Sequence, residues 1–353
     1  MSKETAKKRP AIWKRVLFTV VSILLALVLL FFAGIGLYIN YLMNRMNRVS
    51  GDESRLNSAE VEQLLQSDPD LSPIDPSASL PDISDVPFPS APTVPAEKLK
   101  HVINILLIGQ DATVPGVRAR SDSMILVTFN TRAKTVTFTS FMRDAYVQIP
   151  GYAVNKLNHA YQYGGMELLN ETLKLNYGVD IDGDVEINFS SFMSIIDLLG
   201  GVEISLTDPE VFYMNHQTDW NLKVGVNRLN GEQALVYARL REIDSDYQRS
   251  QRQRTVLMAL ANAYKDQSPG DMLDLLDDII ALISTNMTND QMWEYGLKVV
   301  NMLSGARYGS QRLPADGTFS QGNVQVRPGL KAWFMYNIDF ETNREILQRI
   351  FDE

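Results

Sequence analysis

The stretch VINILLIG, residues 102–109, sets the fold class of this chain. It is apolar except for Asn104 and it ends in a glycine, which is typical of a strand buried on both faces of a sheet. Met124 to Phe129 and Thr135 to Thr139 predict the next two strands. Because the connection between them is short, we expect these two strands to pair in an antiparallel hairpin.

Strand and helix patterns alternate downstream of this hairpin. Strands are predicted at Val185–Phe189 and Val202–Leu206. Gly164-Gly165 is expected to open a helix that ends near Leu175. Further helices are predicted at 191–199, 230–237, 246–264, 271–284, 289–303 and 340–351. One hairpin within an alternating order predicts an α/β fold, with a mixed sheet and helices on both of its faces.

A second apolar run lies close to the N-terminus. Val16 to Ile39 is 24 residues long, and at about 1.5 Å per residue such a helix spans the roughly 30 Å hydrocarbon core of a bilayer. Basic side chains precede it at positions 3, 7, 8, 9, 14 and 15. This excess predicts residues 1–15 as a cytoplasmic tail, 16–39 as a single-pass anchor in the cell membrane, and the rest as extracellular. The alternative is a cleaved signal peptide, but its apolar core is usually only about 7–15 residues long.

Proline is concentrated between the predicted anchor and the first strand. Eight of the fifteen prolines lie between Pro69 and Pro95, among Ser, Asp and few large apolar residues. Such a segment is extended and buries too little surface to fold. We therefore interpret residues 40–98 as an extracellular stalk, with one short helix within 54–66, and residues 99–353 as the folded domain.

The charge distribution and the absence of cysteine exclude several classes of function. Residues 1–48 carry a charge of +7, which leaves −16 for the remainder of a chain whose net charge is −9. An acidic ectodomain disfavours nucleic acid as a partner, because DNA affinity rests mainly on basic contacts to phosphate. Without cysteine, the chain has no disulfides, zinc–thiolate sites or thiol nucleophiles.

Two aspartates lie at the junction of the first two strands of the domain. Asp111 follows the carboxyl end of the first strand, and Asp122 begins the next. If these strands are neighbours, the two carboxylates converge. Two carboxylates with waters and phosphate oxygens form a usual shell for Mg²⁺, or for Mn²⁺ in its place. The alternative is an ordinary turn residue and an ordinary strand-start residue.

Further charged residues follow the third strand. Arg143 and Asp144 are adjacent, and they could bind an anion or pair with each other. Lys156 lies in the predicted loop before the diglycine, where backbone amides at a helix N-terminus favour an anion. An ordinary turn is the alternative for the diglycine. We assign no catalytic role to His159.

The densest group of arginines in this acidic domain comprises Arg239, Arg241, Arg249, Arg252 and Arg254. At about 100° per residue on a helix from Asp246, Arg249 and Gln253 continue the apolar stripe that faces the interior. A buried arginine needs a partner, and its planar fork suits phosphate well. Arg254 falls on another side of the helix and is predicted to be a solvated surface charge. The alternative for the group is a salt-bridged surface helix that uses the acidic residues of 242–246.

These residues belong to motifs that occur in a fixed order along roughly residues 102–265. The motifs are Leu106-Leu107-Ile108-Gly109-x-Asp111, Arg120-Ser121-Asp122-Ser123, Ser140-x-x-Arg143-Asp144, Lys156-x-Asn158-x-Ala160-Tyr161-x-x-Gly164-Gly165, Leu199-Gly200-Gly201-Val202, Leu229-Asn230-Gly231-Glu232-Gln233-Ala234-Leu235, Tyr237-Ala238-Arg239-x-Arg241 and Arg249-x-x-Arg252-Gln253. Each is weak alone, but the ordered set is very specific. Together they resemble the LytR-CpsA-Psr family of envelope glycopolymer ligases, which the predicted anchor and stalk also fit.

The resemblance implies an α-β-α sandwich that binds a polyprenyl-pyrophosphate-linked glycan. Such proteins transfer the phosphoglycan to the 6-hydroxyl of N-acetylmuramic acid in peptidoglycan and release polyprenyl phosphate. By motif, Asp111 and Asp122 would hold the metal. The pyrophosphate would be clamped by Arg120, Arg143, Arg239, Arg241, Arg249 and Gln253, with Lys156 as a further candidate. The lipid tail would lie in an apolar channel within the domain.

The implied transfer needs mainly positioning and neutralisation of charge, which arginines and a metal supply. Asp111 and Asp144 are both candidates for the base that activates the sugar hydroxyl. Where the family often has a further basic residue after the Arg-Asp pair, this chain has Val147-Gln148. Two alternatives remain: a hydrolase of lipid pyrophosphates that uses the same residues, and a non-catalytic receptor for polyprenyl phosphates. Residues 266–353 show no separate chemistry, and Arg312 is interpreted as a strand-face charge.

Overall fold

The computed structural model describes residues 36–49, 55–68, 70–74, 80–81, 83, 88, 99–110, 118–264, 278–303 and 305–352. The chain divides into two compact units, residues 1–45 and 46–353. In the first unit, residues 36–43 are helical. Within the ranges just given, no helix combines the length and the apolar composition needed to cross a membrane. Residues 16–35 of the predicted anchor lie outside those ranges, so the anchor stays a prediction.

The second unit contains the described strands and helices of the folded domain. Its strands are β1 (Asn47–Arg48), β2 (Ser72–Pro73), β3 (Val102–Gln110), β4 (Ser121–Asn130), β5 (Thr135–Phe141), β6 (Tyr146–Val147), β7 (Asn155–Lys156), β8 (Gly183–Asn188), β9 (Val202–Leu206), β10 (Gly225–Leu229), β11 (Ser284–Thr285), β12 (Arg307–Leu313), β13 (Ser320–Arg327) and β14 (Leu330–Tyr336). Its helices are α1 (Ser58–Gln66), α2 (Leu157–Tyr177), α3 (Phe189–Leu198), α4 (Asp208–Gln217), α5 (Gly231–Arg239), α6 (Asp246–Tyr264), α7 (Asn289–Leu303) and α8 (Phe340–Asp352).

A seven-stranded sheet forms the centre of this unit, in the order β1-β11-β8-β3-β4-β5-β12. The central strand, β3, contains the VINILLIG stretch. It pairs antiparallel with β4 and parallel with β8. Strands β4 and β5 form the predicted antiparallel hairpin, and β12 adds parallel to β5. The prediction of a mixed sheet is therefore confirmed.

Side chains on the two faces of the sheet belong to two different cores, because successive residues of a strand point to opposite faces. On one face, Leu106 and Leu126 lie in a buried cluster with residues of α2 and α8. On the other face, Ile125 and Val127 lie in a cluster with Leu257 of α6 and with residues of α7. Helices thus cover both faces, as the alternating sequence pattern predicted.

A smaller lobe surrounds the antiparallel pair of strands β9 and β10. Its core is built from these two strands and from α3, α4, α5 and α6. Asn230 caps α5 by accepting a hydrogen bond from the backbone of Gln233. A side chain at Gly231 would collide with the backbone of Met193, so this glycine lets α5 lie directly against α3. This close packing fixes the position of Arg239, the last residue of α5.

Helix α2 begins earlier than the sequence analysis predicted. It starts at Leu157, and Gly164 and Gly165 lie inside it with non-helical backbone angles. Gly165 has φ +62° and ψ −152°, a conformation that only glycine adopts readily. The predicted helical segment after the diglycine is present, and the diglycine marks a kink between it and an earlier segment, from Leu157, that the sequence analysis did not predict. Lys156 directly precedes the first turn of α2.

Part of the predicted stalk is folded onto the domain. Helix α1 lies within it, and Leu56, Val61 and Leu64 pack against the core on the α2 side of the sheet. Strand β2 pairs with β14. The stalk interpretation therefore fails for residues 55–68 and 70–73. The physical reason is that these residues supply apolar side chains to a core, whereas the prolines that suggested an extended chain begin only at Pro69.

Candidate active site

Residues from separate elements enclose a cleft of about 700 Å³. Its lining includes every residue of the predicted clamp apart from the further candidate Lys156: Arg120, Arg143, Arg239, Arg241, Arg249 and Gln253, together with Asp122. We call it the arginine cleft. The end of β3, the start of β4 and the end of β5 meet at one edge of the sheet, because these strands are antiparallel neighbours. Helix α5 ends at this edge and α6 begins beside it.

Arg143 lies at the centre of the charged network. Its Nη1 donates to Asp122 over 2.8 Å, and its Nε lies 3.4 Å from carboxylate oxygens of both Asp144 and Asp246. Burial alone would lower the pKa of Arg143, but the three carboxylates outweigh burial and raise its pKa. The guanidinium is therefore a permanent cation fixed between β4, β5 and α6. Arg143 and Asp144 pair with each other. Arg143 also pairs with Asp122 and Asp246, which the sequence alone did not predict.

Asp246 is a site residue that the sequence analysis did not select. Three arginines share its carboxylate: Arg249 at 2.8 Å, Arg143 at 3.4 Å and Arg241 at 3.5 Å. Burial raises the pKa of Asp246, against the opposing effect of Arg143 and Arg241. Its position as the first residue of α6, amid the arginine group, is the signal that would have identified it. The lining of the arginine cleft as a whole has an excess of positive charge, since it contains five arginines and only three carboxylates, those of Asp70, Asp122 and Glu242.

The inward placement of Arg249 and Gln253 on α6 is confirmed. Arg249 is 4% exposed, and Gln253 accepts a hydrogen bond from the hydroxyl of Ser123 on β4 over 3.0 Å. Nε of Arg143 and Nε of Arg249 are buried donors without a hydrogen-bond partner in the part of the chain that the structure describes. Unsatisfied guanidinium donors beside a cleft suit an anionic ligand.

Arg252 and Arg254 do not belong to the cleft. Arg252 is buried and donates to Glu210 over 2.7 Å, to the carbonyl of Leu240 over 3.0 Å and to Asp244. This is the salt-bridged role that the sequence analysis weighed for the whole group. It applies to the side of α6 that faces α4.

The prediction that Arg254 is a solvated surface charge is wrong. It is only 4% exposed and donates to the hydroxyl groups of Ser140 on β5 and Ser310 on β12. Burial lowers its pKa to about 10. The helical-wheel argument assumed that one side of α6 faces solvent, but the smaller lobe covers one side and the main sheet covers another.

An acidic segment from the predicted stalk contacts two of the predicted clamp cations. Asp68 and Asp70 lie 3.1 and 3.0 Å from Nη1 of Arg120. Asp70 also pairs with Nζ of Lys156 over 2.8 Å. Hydrogen bonding to His159 and the charge of Arg120 lower the pKa of Asp68, although burial opposes them. These carboxylates were missed because the proline-rich composition around them suggested an extended linker.

Lys156 lies away from the lining of the arginine cleft. It is buried, and its Nζ bridges Asp70 and Asp144, each over 2.8 Å. It therefore orients Asp144 beside Arg143. His159 is buried too, with Nε2 3.3 Å from Asp68, and burial lowers its pKa. Neutral His159 acts here as a polar contact.

The predicted metal ligands are only partly described. Asp111 lies outside the described residues. Asp122 lines the arginine cleft, and its carboxylate is about one third exposed and bonded to Arg143. Among the residues that the structure describes, no three His, Asp or Glu side chains are grouped as metal ligands. A partly exposed carboxylate at an anion-binding cleft fits a divalent cation that keeps water and phosphate ligands.

The arginine cleft also has an apolar side. Phe189, Leu235, Val236 and Leu240 line it. The guanidinium of Arg239 lies over the ring of Phe189 at 4.3 Å from its centroid. The cleft therefore offers cations at one side and hydrocarbon at the other, which suits an amphipathic anion.

Comparison with known proteins gives one family. A family model described as the LytR_cpsA_psr family matches residues 81–331. The chain is 37% identical over 197 residues to the polyisoprenyl-teichoic acid–peptidoglycan teichoic acid transferase TagT of Bacillus subtilis, covering 53% of this chain and 60% of that protein. It is 32% identical over 219 residues to TagU of Bacillus cereus, which bears the same enzyme name, covering 61% and 69%. The match thus spans about three fifths of the length of TagT.

Solved structures share the fold. TagT bound to LIIa-WTA superposes with a TM-score of 0.58 at 29% identity, covering 72% of this chain and 92% of that chain. The LytR-CPS2A-psr family protein YwtF (TagT) with bound octaprenyl pyrophosphate lipid superposes with a TM-score of 0.54 at 26% identity, covering 72% and 92%. Both similarities concern most of the folded unit described above.

Proposed function

This chain belongs to the LytR-CpsA-Psr family, and on that premise we propose that it is a phosphotransferase. Its donor is a glycopolymer carried on polyprenyl pyrophosphate, and its acceptor is the muramic acid 6-hydroxyl of peptidoglycan. The names of similar proteins support this reaction, since TagT and TagU are teichoic acid transferases. The TagT structure with octaprenyl pyrophosphate supports the donor class.

The observation that carries the proposal is the arginine cleft. Five arginines line one cleft in a strongly acidic part of the chain. Guanidinium groups form paired, charge-assisted hydrogen bonds with phosphate oxygens. A diphosphate concentrates several negative charges in a small volume and so matches this lining. The apolar side of the cleft suits the first isoprene units of the carrier.

The transfer exchanges the phosphoanhydride bond of the pyrophosphate for a phosphate ester bond to the acceptor. The acceptor oxygen attacks the glycan-bearing phosphorus, and the bond from that phosphorus to the bridging oxygen breaks. Polyprenyl phosphate leaves with the bridging oxygen and its electron pair. Arg143 and Arg249 balance the negative charge on the phosphoryl oxygens and on the leaving phosphate, which is the main requirement of phosphoryl transfer.

The proton of the acceptor hydroxyl passes to a carboxylate. Asp144 and Asp246 both lie 3.4 Å from Nε of Arg143, so either is held next to the reacting phosphorus if Arg143 binds it. Burial raises the pKa of Asp246, which favours it as a proton acceptor. Asp111 stays a candidate of the sequence analysis.

A divalent cation, Mg²⁺ or Mn²⁺, fits the charge of this site. Asp122 would hold it, together with Asp111. When bound, such an ion withdraws charge from the phosphoryl oxygens. Asp122 also has a role that does not depend on the cation, because its 2.8 Å ion pair orients Arg143.

The proposal places the protein at the cell membrane. The predicted anchor of residues 16–39 would hold the N-terminus in the cytoplasm and the catalytic domain outside, where peptidoglycan is. The membrane would also supply the lipid-linked donor to the apolar side of the cleft. The acidic charge of the domain argues against nucleic acid as a partner.

A coupling assay tests the proposal. The full-length protein in lipid nanodiscs is incubated with a fluorescent polyprenyl-pyrophosphate glycan, with and without peptidoglycan oligomers. We expect label on the peptidoglycan only when the acceptor is present, and none with Arg143→Ala. Arg228→Ala is the matched control, because this arginine of β10 is well exposed and pairs with Glu203 on β9.

The same assay separates the alternatives. Release of the labelled glycan at the same rate without peptidoglycan would identify a hydrolase. Donor binding with neither release nor coupling would identify a receptor. Either result contradicts the transferase.

A further inference from the structure

A second cleft, of about 590 Å³, lies next to the arginine cleft. Arg143 and Asp70 line both clefts. Asp122 lines only the arginine cleft, whereas Asp144 and Asp246 line only the second. Arg143 therefore separates a cation-rich space from a space with carboxylates. The volume is within the range of about 300–1,000 Å³ that is typical of small-ligand sites.

The second cleft has exposed aromatic walls, and we call it the aromatic cleft. Tyr247 and Trp333 line it and are 36% and 37% exposed, and Phe319 lines it as well. Each of these two side chains keeps about a third of its surface exposed beside a concave site, where a ligand can cover it. Flat apolar rings in a polar, open cleft can pack against the C–H faces of a ligand that also carries hydroxyl groups.

The walls are held rigidly. Arg312 was interpreted from the sequence as a strand-face charge, but it is buried, which corrects that interpretation. Its guanidinium lies over Tyr247 at 4.4 Å and over Phe319 at 5.3 Å, and it donates to the carbonyl of Pro314 over 2.7 Å. This stacked cation fixes both rings before any ligand arrives, which reduces the entropy lost on binding.

The hairpin of β13 and β14 presents polar and aromatic groups together. Gln321 pairs with Met335, and Asn323 pairs with Trp333, so these four residues share one face of the hairpin. The opposite face, with Val324 and neighbouring residues, is buried in its own core. An amide beside an aromatic ring is an arrangement that can bind a sugar, because it supplies hydrogen bonds to hydroxyl or acetamido groups next to an apolar surface.

We propose that the aromatic cleft binds the saccharide acceptor, a glycan strand of amino sugars with a free primary hydroxyl. This inference rests on the proposed transferase function. The acceptor hydroxyl would reach Arg143 from the side opposite to the arginine cleft, as in-line attack on a phosphorus requires. There it meets Asp144 and Asp246, and one of these takes its proton as the new P–O bond forms and the bond to the bridging oxygen breaks.

The donor's lipid tail is the other ligand of the reaction, and the charges argue against it in this cleft. Asp144, Lys156 and Asp246 form part of the lining, and burying such groups against hydrocarbon is costly. The arginine cleft has its own apolar side with Phe189 and Leu235. The tail therefore belongs to the arginine cleft and the sugar to the aromatic cleft.

The test compares four variants of the full-length protein in nanodiscs, with peptidoglycan oligosaccharides as acceptor. Trp333→Ala is expected to raise the acceptor KM about tenfold, and Trp333→Phe to recover most of that loss. Gln321→Ala is expected to raise it about threefold, the usual effect of one neutral hydrogen bond. Gln325→Ala is the matched control: it is an exposed glutamine on the same strand that does not line the cleft. All four should bind a polyprenyl pyrophosphate within twofold of the wild type.

Two results would overturn the inference. One is an acceptor KM for Trp333→Ala and Gln321→Ala within twofold of that for Gln325→Ala. The other is a loss of donor affinity in Trp333→Ala with the acceptor KM unchanged, which would place the lipid here. If Trp333→Ala fails to fold, the variants Gln321→Ala, which changes an exposed side chain, and Trp333→Phe still test the inference. Failure of the transferase proposal looks different, because the wild type would then couple no glycan at all.

Discussion

Two arginines one turn apart on α6 are buried equally well and have different surroundings. Arg252 is 6% exposed and is matched by two carboxylates, Glu210 and Asp244. Arg249 is 4% exposed and shares its one carboxylate, Asp246, with two other arginines. The lining of the arginine cleft thus has surplus positive charge, whereas on the side facing α4 two carboxylates outnumber the one arginine. Burial of an arginine alone does not indicate a binding site; the ratio of cations to carboxylates does.

The same substitution at Arg249 and Arg252 gives the sharpest contrast. In Arg249→Met we expect the transfer rate per folded molecule to fall about 10³-fold, the effect of removing an arginine that stabilises phosphoryl transfer. The free energy of unfolding should change by less than about 1 kcal/mol, because Asp246 keeps Arg143 and Arg241 as partners. The coupling assay and urea denaturation measure the two quantities. A variant with near wild-type transfer would break the comparison.

Arg252→Met should show the opposite pattern. It leaves buried Glu210 without its 2.7 Å partner, and breaking one half of a buried pair costs about 3 kcal/mol or more. The transfer rate per folded molecule should stay within about threefold of the wild type, since Arg252 does not line the arginine cleft. Adding Glu210→Gln should restore part of the stability. Loss of transfer without loss of stability would show that the two sides of α6 are not separate.

Arg254→Met should have a smaller effect than either. The groups that bond this guanidinium are the hydroxyl groups of Ser140 and Ser310, and burial already lowers its pKa to about 10. Replacing a buried cation by an apolar side chain of similar length is often nearly neutral, so we expect a loss of about 1 kcal/mol in unfolding free energy. Transfer should be unchanged. A loss as large as that of Arg252→Met would contradict the distinction between charged and uncharged partners.

We expect the free energy of unfolding to depend on pH through His159, which contacts Asp68 of the acidic segment. Burial lowers the pKa of His159 below its usual value of about 6.5. As the pH falls below about 6.5, the unfolded chain takes up a proton that the folded chain binds less readily, so the free energy of unfolding falls. The slope from this group is at most about 1.4 kcal/mol per pH unit. Urea titrations between pH 7.5 and 5.5 should show a weaker dependence in His159→Gln, and an equal dependence would contradict this assignment.

Much of the fold could be predicted from the sequence because local patterns determine it. The continuous apolar run of β3, the short β4–β5 connection and the period of α6 each depend on neighbouring residues only. The inward direction of Arg249 and Gln253 followed from the same helical period. The residues of the predicted clamp then met at one edge of the sheet because β3, β4 and β5 are antiparallel neighbours.

The remainder depends on which surfaces are covered by distant parts of the chain. The burial of Arg254 requires knowing that both the sheet and the smaller lobe pack on α6. The contacts of Asp70 with Arg120 and Lys156 join residues 50 and 86 positions apart. The diglycine indicates the start of the helical segment that follows it, but it gives no sign of the segment from Leu157 that precedes the kink. Local pattern carries no information on these three points.

The most direct test of the central claim is a crystal structure of the protein with a bound polyprenyl pyrophosphate. The account predicts diphosphate oxygens within hydrogen-bond distance of Arg143 and Arg249, with the first isoprene units against Phe189 and Leu235. A diphosphate bound elsewhere on the domain, with both guanidinium groups left facing an empty cleft, would contradict it.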